Sequence, residues 1–215
     1  LGRQAPMLRR APQTRAQLAE SLVKLVRTGV EETATALASV CVGLPAAVDV
    51  RTGAVVGVPL YGELAELNAK RLLEDRFGVP CVVENDIKLA AFAENRLGGG
   101  RRFRNLVYLD INNGVGAGII IENRLVRGCQ GYAGEIGYAR SLAVRGARRA
   151  SPGTQGAAGA RAGATLEESA SLAAICSAAG VRASVNAFAA AAGGAVAAAS
   201  AIDRSVTHLA AVLLT

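Results

Sequence analysis

The sequence predicts an α/β protein built on a parallel sheet covered by helices. Two observations carry that expectation. Strand-like and helical patterns alternate as far as residue 97, as they do where helices cover a parallel sheet. Half of the chain (51%) is apolar, and its 215 residues suffice for one large domain or two small ones with a sizeable core.

Thr14 with Gln17 three residues on forms a capping-box pattern, and Leu18, Leu22 and Leu25 follow at helical spacing, so 14–28 reads as an amphipathic helix lying on a sheet. "ALASVCVGLP" (36–45) reads as a buried strand ending in a turn, and "GAVVGVP" (53–59) as a shorter extended segment. A second helix is expected over 62–77, with Leu64, Leu67, Leu72, Leu73 and Phe77 inward. The strand "PCVVEN" and a helix over 86–97 follow. "LGGGRRFRN" (97–105) reads as a connector, which divides the chain into 1–97, a partial small α/β lobe, and 98–215, a larger lobe ending in Ala-rich helices. In "LVYLDINNGVGAGIIIENRLVRG", two apolar strands flank a Gly-rich turn, and a turn at Glu122-Asn123 leads into a third strand. Residues 145–164 are low in complexity and read as a flexible loop; helices are expected at about 165–179, 183–192 and 194–214, with breaks at Gly180 and Gly193-Gly194.

Composition narrows the function. Aromatic residues make up 4% of the chain and Trp is absent, so no aromatic platform for stacking bases or sugars is expected, and sugar recognition would be polar. The net charge of +7 comes from scattered arginines. The clusters Arg101-Arg102-Arg104 and Arg145, Arg148 and Arg149 read as solvated surface, not as a DNA footprint. The sequence has no uninterrupted run of 18 apolar residues, and its start lacks the apolar core of a signal peptide, so a cytoplasmic location without membrane association is expected. The four cysteines, Cys41, Cys81, Cys129 and Cys176, lie far apart and read as buried free thiols.

Several residues could carry chemistry. Asn85-Asp86, in "VVENDIKLAAFAE", sit where a strand runs into a helix. Asn and Asp are favoured there as helix caps, yet ligands of open α/β sheets bind at the same place, so capping and ligand binding both stand. Gly114, Gly116 and Gly118 sit between strands, where positive φ angles in a tight hairpin are the plainer reading, ahead of close approach to a phosphate. Glu135 is set among small residues in "GYAGEIGYAR", and Glu167 follows the low-complexity stretch. His208, the single histidine, lies in an Ala-rich segment and reads as packing or surface.

Together, "VGLPAAVD", "VVENDIKLAAFAE", "VYLDINNGVGAGIIIENRLVRGCQGYAGEIGY" and "TLEESAS" resemble the ROK family (repressors, open reading frames and kinases) in order and spacing, over essentially all of 36–215. The resemblance implies the two-lobed, actin-like (ribonuclease H-like) sugar-kinase fold. It implies that Asn85 and Asp86 bind sugar hydroxyls, with Asp86 the general base in kinase members. Glu135, Tyr138 and Glu167 would add sugar contacts, and Asn113, Gly114 and Gly116 would form the second phosphate loop.

The departures from the family pattern point to its regulators. The opening phosphate-cradling strand and the closing adenosine segment are not in the sequence, which implies an excerpt of a longer protein. Asn112-Asn113-Gly114 stands where kinases have Gly-Thr-Gly, and Tyr138 stands where zinc-binding members have His. The expected function is therefore the sugar-sensing part of a transcriptional regulator, a repressor. Its partners would be a sugar or sugar phosphate effector, operator DNA reached through a preceding winged helix-turn-helix, and copies of itself in a homodimer or homotetramer. The alternatives are a hexose kinase using ATP and Mg, and a non-catalytic oligomerisation module. No cofactor is expected for the regulator.

Two outcomes follow from these readings. Elemental analysis of tag-free protein should find no stoichiometric zinc, because the stretch leading to Glu167 offers no Cys or His for a tetrahedral site. In a gel shift, residues 1–215 alone should produce no sequence-selective band, since no segment pairs a recognition helix with base-reading side chains.

Overall fold

The computed structural model describes residues 14–33, 36–56, 67–112, 114–140 and 165–180. The expectations for Leu64, Asn113, His208, the 145–164 loop and the helices at 183–192 and 194–214 lie outside the described residues. By internal contacts the chain divides into two compact units, Leu1–Tyr108 with Gly118–Ala133, and Leu109–Ala117 with Gly134–Thr215.

In the first unit, Thr14 starts helix α1 (Arg15–Thr33), its hydroxyl accepting from Gln17 N at 3.2 Å. The helix runs further than the 28 expected, and its buried row is Leu18 and Leu22, with Val26 packed beside them, not Leu25. Ala19 and Val23 also pack against this core, so the buried face is centred on the side of the helix away from Leu25. Strand β1 (Val40–Leu44) pairs in parallel with β4 (Cys81–Asn85), Val40 opposite Cys81 and Leu44 opposite Asn85. Between them lies a hairpin that the sequence reading divided differently, β2 (Ala47–Asp49) antiparallel to β3 (Ala54–Val56). Asp49 accepts from Arg51 N and the Arg51 guanidinium, and that contact holds its carboxyl below the usual carboxylate range. Helix α2 (Ala69–Phe77) begins after non-helical residues 67–68, the Asn68 side chain capping it by accepting from Arg71 N at 2.9 Å; positions 62–66 of the expected helix lie outside the described residues. Glu74 and Lys70 of α2 then hold β4, taking the N–H and the carbonyl of Cys81. Leu18, Leu22, Val48, Leu73 and Val83 form the core around these elements.

Helix α3 (Asp86–Leu97) starts directly at the end of β4 and has the expected bounds. Strands β5 (Leu106–Ile111), β6 (Val115–Ile121) and β7 (Arg124–Val126) form a sheet in that order. The turn at Glu122-Asn123 is present, with φ of 49° and 61°, both left-handed as a tight hairpin between twisted strands requires. Glutamate is an unusual occupant of that conformation. It is retained by Glu122 N donating to Asn105 Oδ1 at 2.8 Å and by its ion pair with Arg104.

In the second unit, α4 (Leu166–Ala170) and α5 (Leu172–Ala179) replace the single helix expected over 165–179. The break is Ser171, extended at ψ 158°, whose hydroxyl accepts from Ala174 N and so caps a new helix instead of continuing the old one. Thr165 and Glu168 close a capping box on α4, and Gly180 ends α5 at φ 71°. Leu166, Ala170 and Val115 form the core of this unit, with Leu109, Ile111 and Ile136 against it.

Two sequence readings are corrected here. All four cysteines are free, but only Cys81 is buried; Cys41, on the outward side of β1, and Cys129, in a loop, are exposed, and Cys176 on α5 is intermediate. The glycines of "GVGAG" are not positive-φ residues. Gly118 is small because a Cβ there would overlap Ala91 of α3 and lie 2.9 Å from Ile87 O, so its lack of a side chain lets the helix lie on β6. Gly118→Ala should therefore cost about 1–3 kcal/mol of stability in a chemical denaturation series, the range for overpacking a close contact. Gly78→Ala, where the added Cβ meets nothing within 4 Å, should cost only the left-handed backbone penalty of about 1–2 kcal/mol.

Candidate functional site

The β4–α3 junction holds four charged or polar side chains within five residues, and three of them are buried. Glu84 is 1% exposed, Asn85 5% and Lys88 1%, while Asp86 points outward. The capping role falls to Asn85. Its Oδ1 accepts from Lys88 N at 3.0 Å and its Nδ2 donates to Ala46 O at 3.2 Å, so one amide closes the helix start and ties it to the strand entering β2. Asp86 accepts from Ile87 N at 2.9 Å through Oδ1, a bond within its own turn. Asp86 is thus exposed at a strand end beside a helix N-terminus, the place where ligands of open α/β sheets bind. Asn85 retains further capacity, since an amide has two N–H groups and its oxygen two lone pairs.

Glu84, Lys88 and Arg127 were not singled out in the sequence. Arg127 Nε donates to Glu84 Oε2 at 2.6 Å, Glu84 Oε1 accepts from Asn85 N, and Lys88 Nζ donates to Gly131 O at 2.6 Å. The available signal was the pairing of two charged residues with buried positions: Glu84 sits within an apolar strand and Lys88 on the inward face of α3, where charges are rarely fully buried unless paired.

In the second unit the expected residues gather around the start of β6. Glu135 immediately precedes a short 3-10 turn (Ile136–Tyr138), with Gly134 before it and Gly137 within the turn. A Cβ on Gly134 would overlap Ala117 O, and one on Gly137 would overlap Val115 O, so both glycines are needed for the loop to lie directly against the β6 backbone. Ala117 N donates to Gly134 O at 2.8 Å across that contact. The small residues beside Glu135 thus serve close backbone approach, and only Gly134, at φ 86°, also serves a left-handed turn. Tyr138 is 60% exposed. Glu167, on α4, turns its carboxylate to the same strand: Oε2 accepts from Val115 N at 3.3 Å and lies 2.8 Å from where a Cβ of Gly114 would be. Leu172 N donates to Asn112 O and Asn112 N to Gly114 O, which holds the turn before β6. Gly116 is buried within β6. Among the described residues no group of three or more His, Cys, Asp or Glu could hold a metal ion, and no helix is long and apolar enough to cross a membrane.

A parallel pair, a helix springing from its strand end and a Gly-rich strand turn define a sugar-kinase-like α/β protein with the actin-like ATPase fold. The ROK family profile matches residues 3–215, and the chain belongs to that family. Its relatives include both activities. The glucokinase of Streptomyces coelicolor is 45% identical over 73 residues, covering 34% of this chain and 23% of that enzyme. The xylose repressor of Bacillus spizizenii is 34% identical over 73 residues, covering 34% of this chain and 19% of that repressor. The matched stretches thus span about a quarter or less of these relatives. Among solved structures, a ROK family transcriptional regulator, homolog of the E. coli MLC protein, superposes with a TM-score of 0.73 at 23% identity, covering 93% of this chain and 52% of that one. A ROK family glucokinase from Streptomyces griseus, in complex with glucose and AMPPNP, gives 0.72 at 23% identity, covering 94% and 68%. At that identity the superpositions establish the fold.

The doubly engaged amide at the junction has a measurable consequence. Asn85→Ala removes a cap and leaves Ala46 O without its donor, and should destabilise the protein by about 1–3 kcal/mol in thermal or urea unfolding. Asp86→Ala should cost clearly less, because Asp86 is exposed and its bond to Ile87 N stays within one turn.

Proposed function

We propose that this chain is the sugar-sensing, effector-binding part of a ROK family transcriptional regulator, a repressor. The observation that carries the reading is the Glu167 carboxylate against the Gly-rich turn. A kinase needs the N–H groups of such a turn for phosphate oxygens, and catalysis of phosphoryl transfer rests on positioning and neutralising that charge. Here Val115 N donates to a carboxylate that also fills the space beside Gly114, so an incoming phosphate meets negative charge. Asn112 and Asn113, in place of the Gly-Thr of kinases, weaken the turn further as a nucleotide site.

Sugar binding asks for less, namely a few acceptors aimed at hydroxyls. Asn85 and Asp86, and separately Glu135, Tyr138 and Glu167, are the proposed ligands; Glu167 would use the oxygen not turned to Val115. The effector is a sugar or sugar phosphate. Operator DNA, self-association as a dimer or tetramer, and a cytoplasmic location belong to the same reading, which requires no cofactor. A second reading, an ATP- and Mg-dependent sugar kinase with Asp86 as general base, is favoured by the 45% identity to the Streptomyces coelicolor glucokinase, above the 34% to the xylose repressor.

Two measurements on the full-length protein separate the readings. Calorimetric titration with a panel of hexoses and pentoses should give a best sugar whose affinity falls about ten- to a hundredfold in Asp86→Asn and Asp86→Ala, the loss of one charged hydrogen bond of about 1.5–3 kcal/mol. Equal binding by both variants would reduce Asp86 to a local turn residue. In a coupled assay with ATP, Mg and the same sugars, no sugar-dependent ADP should appear; turnover abolished by Asp86→Asn would instead establish the kinase.

A further inference from the structure

We propose that Lys88 and the Glu84–Arg127 pair are positioning residues for the sugar-binding junction, tying the segment 127–131 to positions 84 and 88 on either side of Asn85-Asp86. The proposal rests on the reading of Asp86 as a sugar ligand and deepens it.

Lysine is almost never fully buried, yet Lys88 is 1% exposed with its ammonium on the Gly131 carbonyl. A leucine or methionine would fill a similar space without desolvating a charge, and such replacements of buried charges are often neutral or stabilising, so stability alone does not account for the lysine. The other end of the same segment carries Arg127, whose side chain, 44% exposed, reaches the buried carboxylate of Glu84. Segment 127–131 is thus fastened at its first residue to position 84 and at its last to position 88. Gly131 is itself confined: its φ is 82°, and a Cβ there would overlap Val48 O of β2. The Asn85 amide holds Ala46 O just ahead of that strand. Three tethers, from residues 84, 85 and 88, therefore surround Asp86, the exposed member of the four. Glu84 also accepts from Asn85 N, so the ion pair acts on the backbone that presents the sugar ligands.

The test uses full-length protein and four variants: Lys88→Met, Lys88→Arg, Arg127→Lys and the double variant Glu84→Gln with Arg127→Met. Calorimetry with glucose, xylose and the rest of the panel is read beside thermal unfolding. Lys88→Met should bind the best sugar about tenfold more weakly, with Lys88→Arg recovering part of the loss. The double variant leaves no orphaned charge, so it should unfold near the wild-type temperature while still binding about tenfold more weakly; Arg127→Lys should fall between it and wild type. Wild-type affinity in Lys88→Met and the double variant overturns the positioning role, whatever their unfolding temperatures. The sugar-binding reading fails separately, if wild type binds no sugar or Asp86→Asn binds as well as wild type. In that event hydrogen exchange decides: Lys88→Met should speed amide exchange at 86–88 and 128–133 but not in α1 or α2, and unchanged exchange at those positions overturns the tie.

Discussion

The first unit depends on one side-chain amide. Asn85 takes the N–H that opens α3 and gives an N–H to Ala46 O, so the end of β4, the start of β2 and the first turn of a helix are set by a single residue 5% exposed. A strand that passes into a helix without a loop must satisfy its free N–H groups within a residue or two, and few side chains do so while also reaching a neighbouring strand. The charged groups on either side follow from that compactness. Glu84 and Lys88 are buried with Asn85, and each then needs a partner, which the segment after β7 supplies.

The second unit solves a different problem, how to place an acid beside a strand without a wide loop. Gly134 and Gly137 bring the backbone of the Glu135 turn onto the carbonyls of Ala117 and Val115, where any side chain would collide. The same strand receives Glu167 from the short helix α4, whose capping box and buried Leu166 fix its first turn. The backbone of the Glu135 turn and the carboxylate of Glu167 are therefore both held against residues 114–117, the first by close glycine contacts and the second by its bond to Val115 N.

Family membership leaves the activity open, because one fold hosts both repressors and kinases and function lives in local chemistry. The 73-residue stretches shared with a glucokinase and with a xylose repressor illustrate this: similarity follows the scaffold that both need. What separates phosphoryl transfer from sensing is the donor set available to a phosphate, and one N–H of this turn, that of Val115, already meets a carboxylate.

Several local rules whose determining partner lies within one turn were legible from the sequence. Thr14 with Gln17, Thr165 with Glu168, the bounds of α3 and the hairpin at Glu122-Asn123 are of this kind, and so was the family, through the order of its motifs. The start of α2 after Asn68 and the break at Ser171 were missed, although both are caps, because apolar spacing outweighed the Asn and Ser signals in the reading. Only the tertiary structure decided which acids and cations are buried, why Gly118 must be glycine, and that Glu167 stands against Val115 N. Those facts depend on residues 27 to 52 positions apart along the chain, such as Gly118 with Ala91, Glu84 with Arg127 and Val115 with Glu167. Periodicity records which face of an element is apolar, whereas a buried charge or a forbidden Cβ is set by what packs against that face.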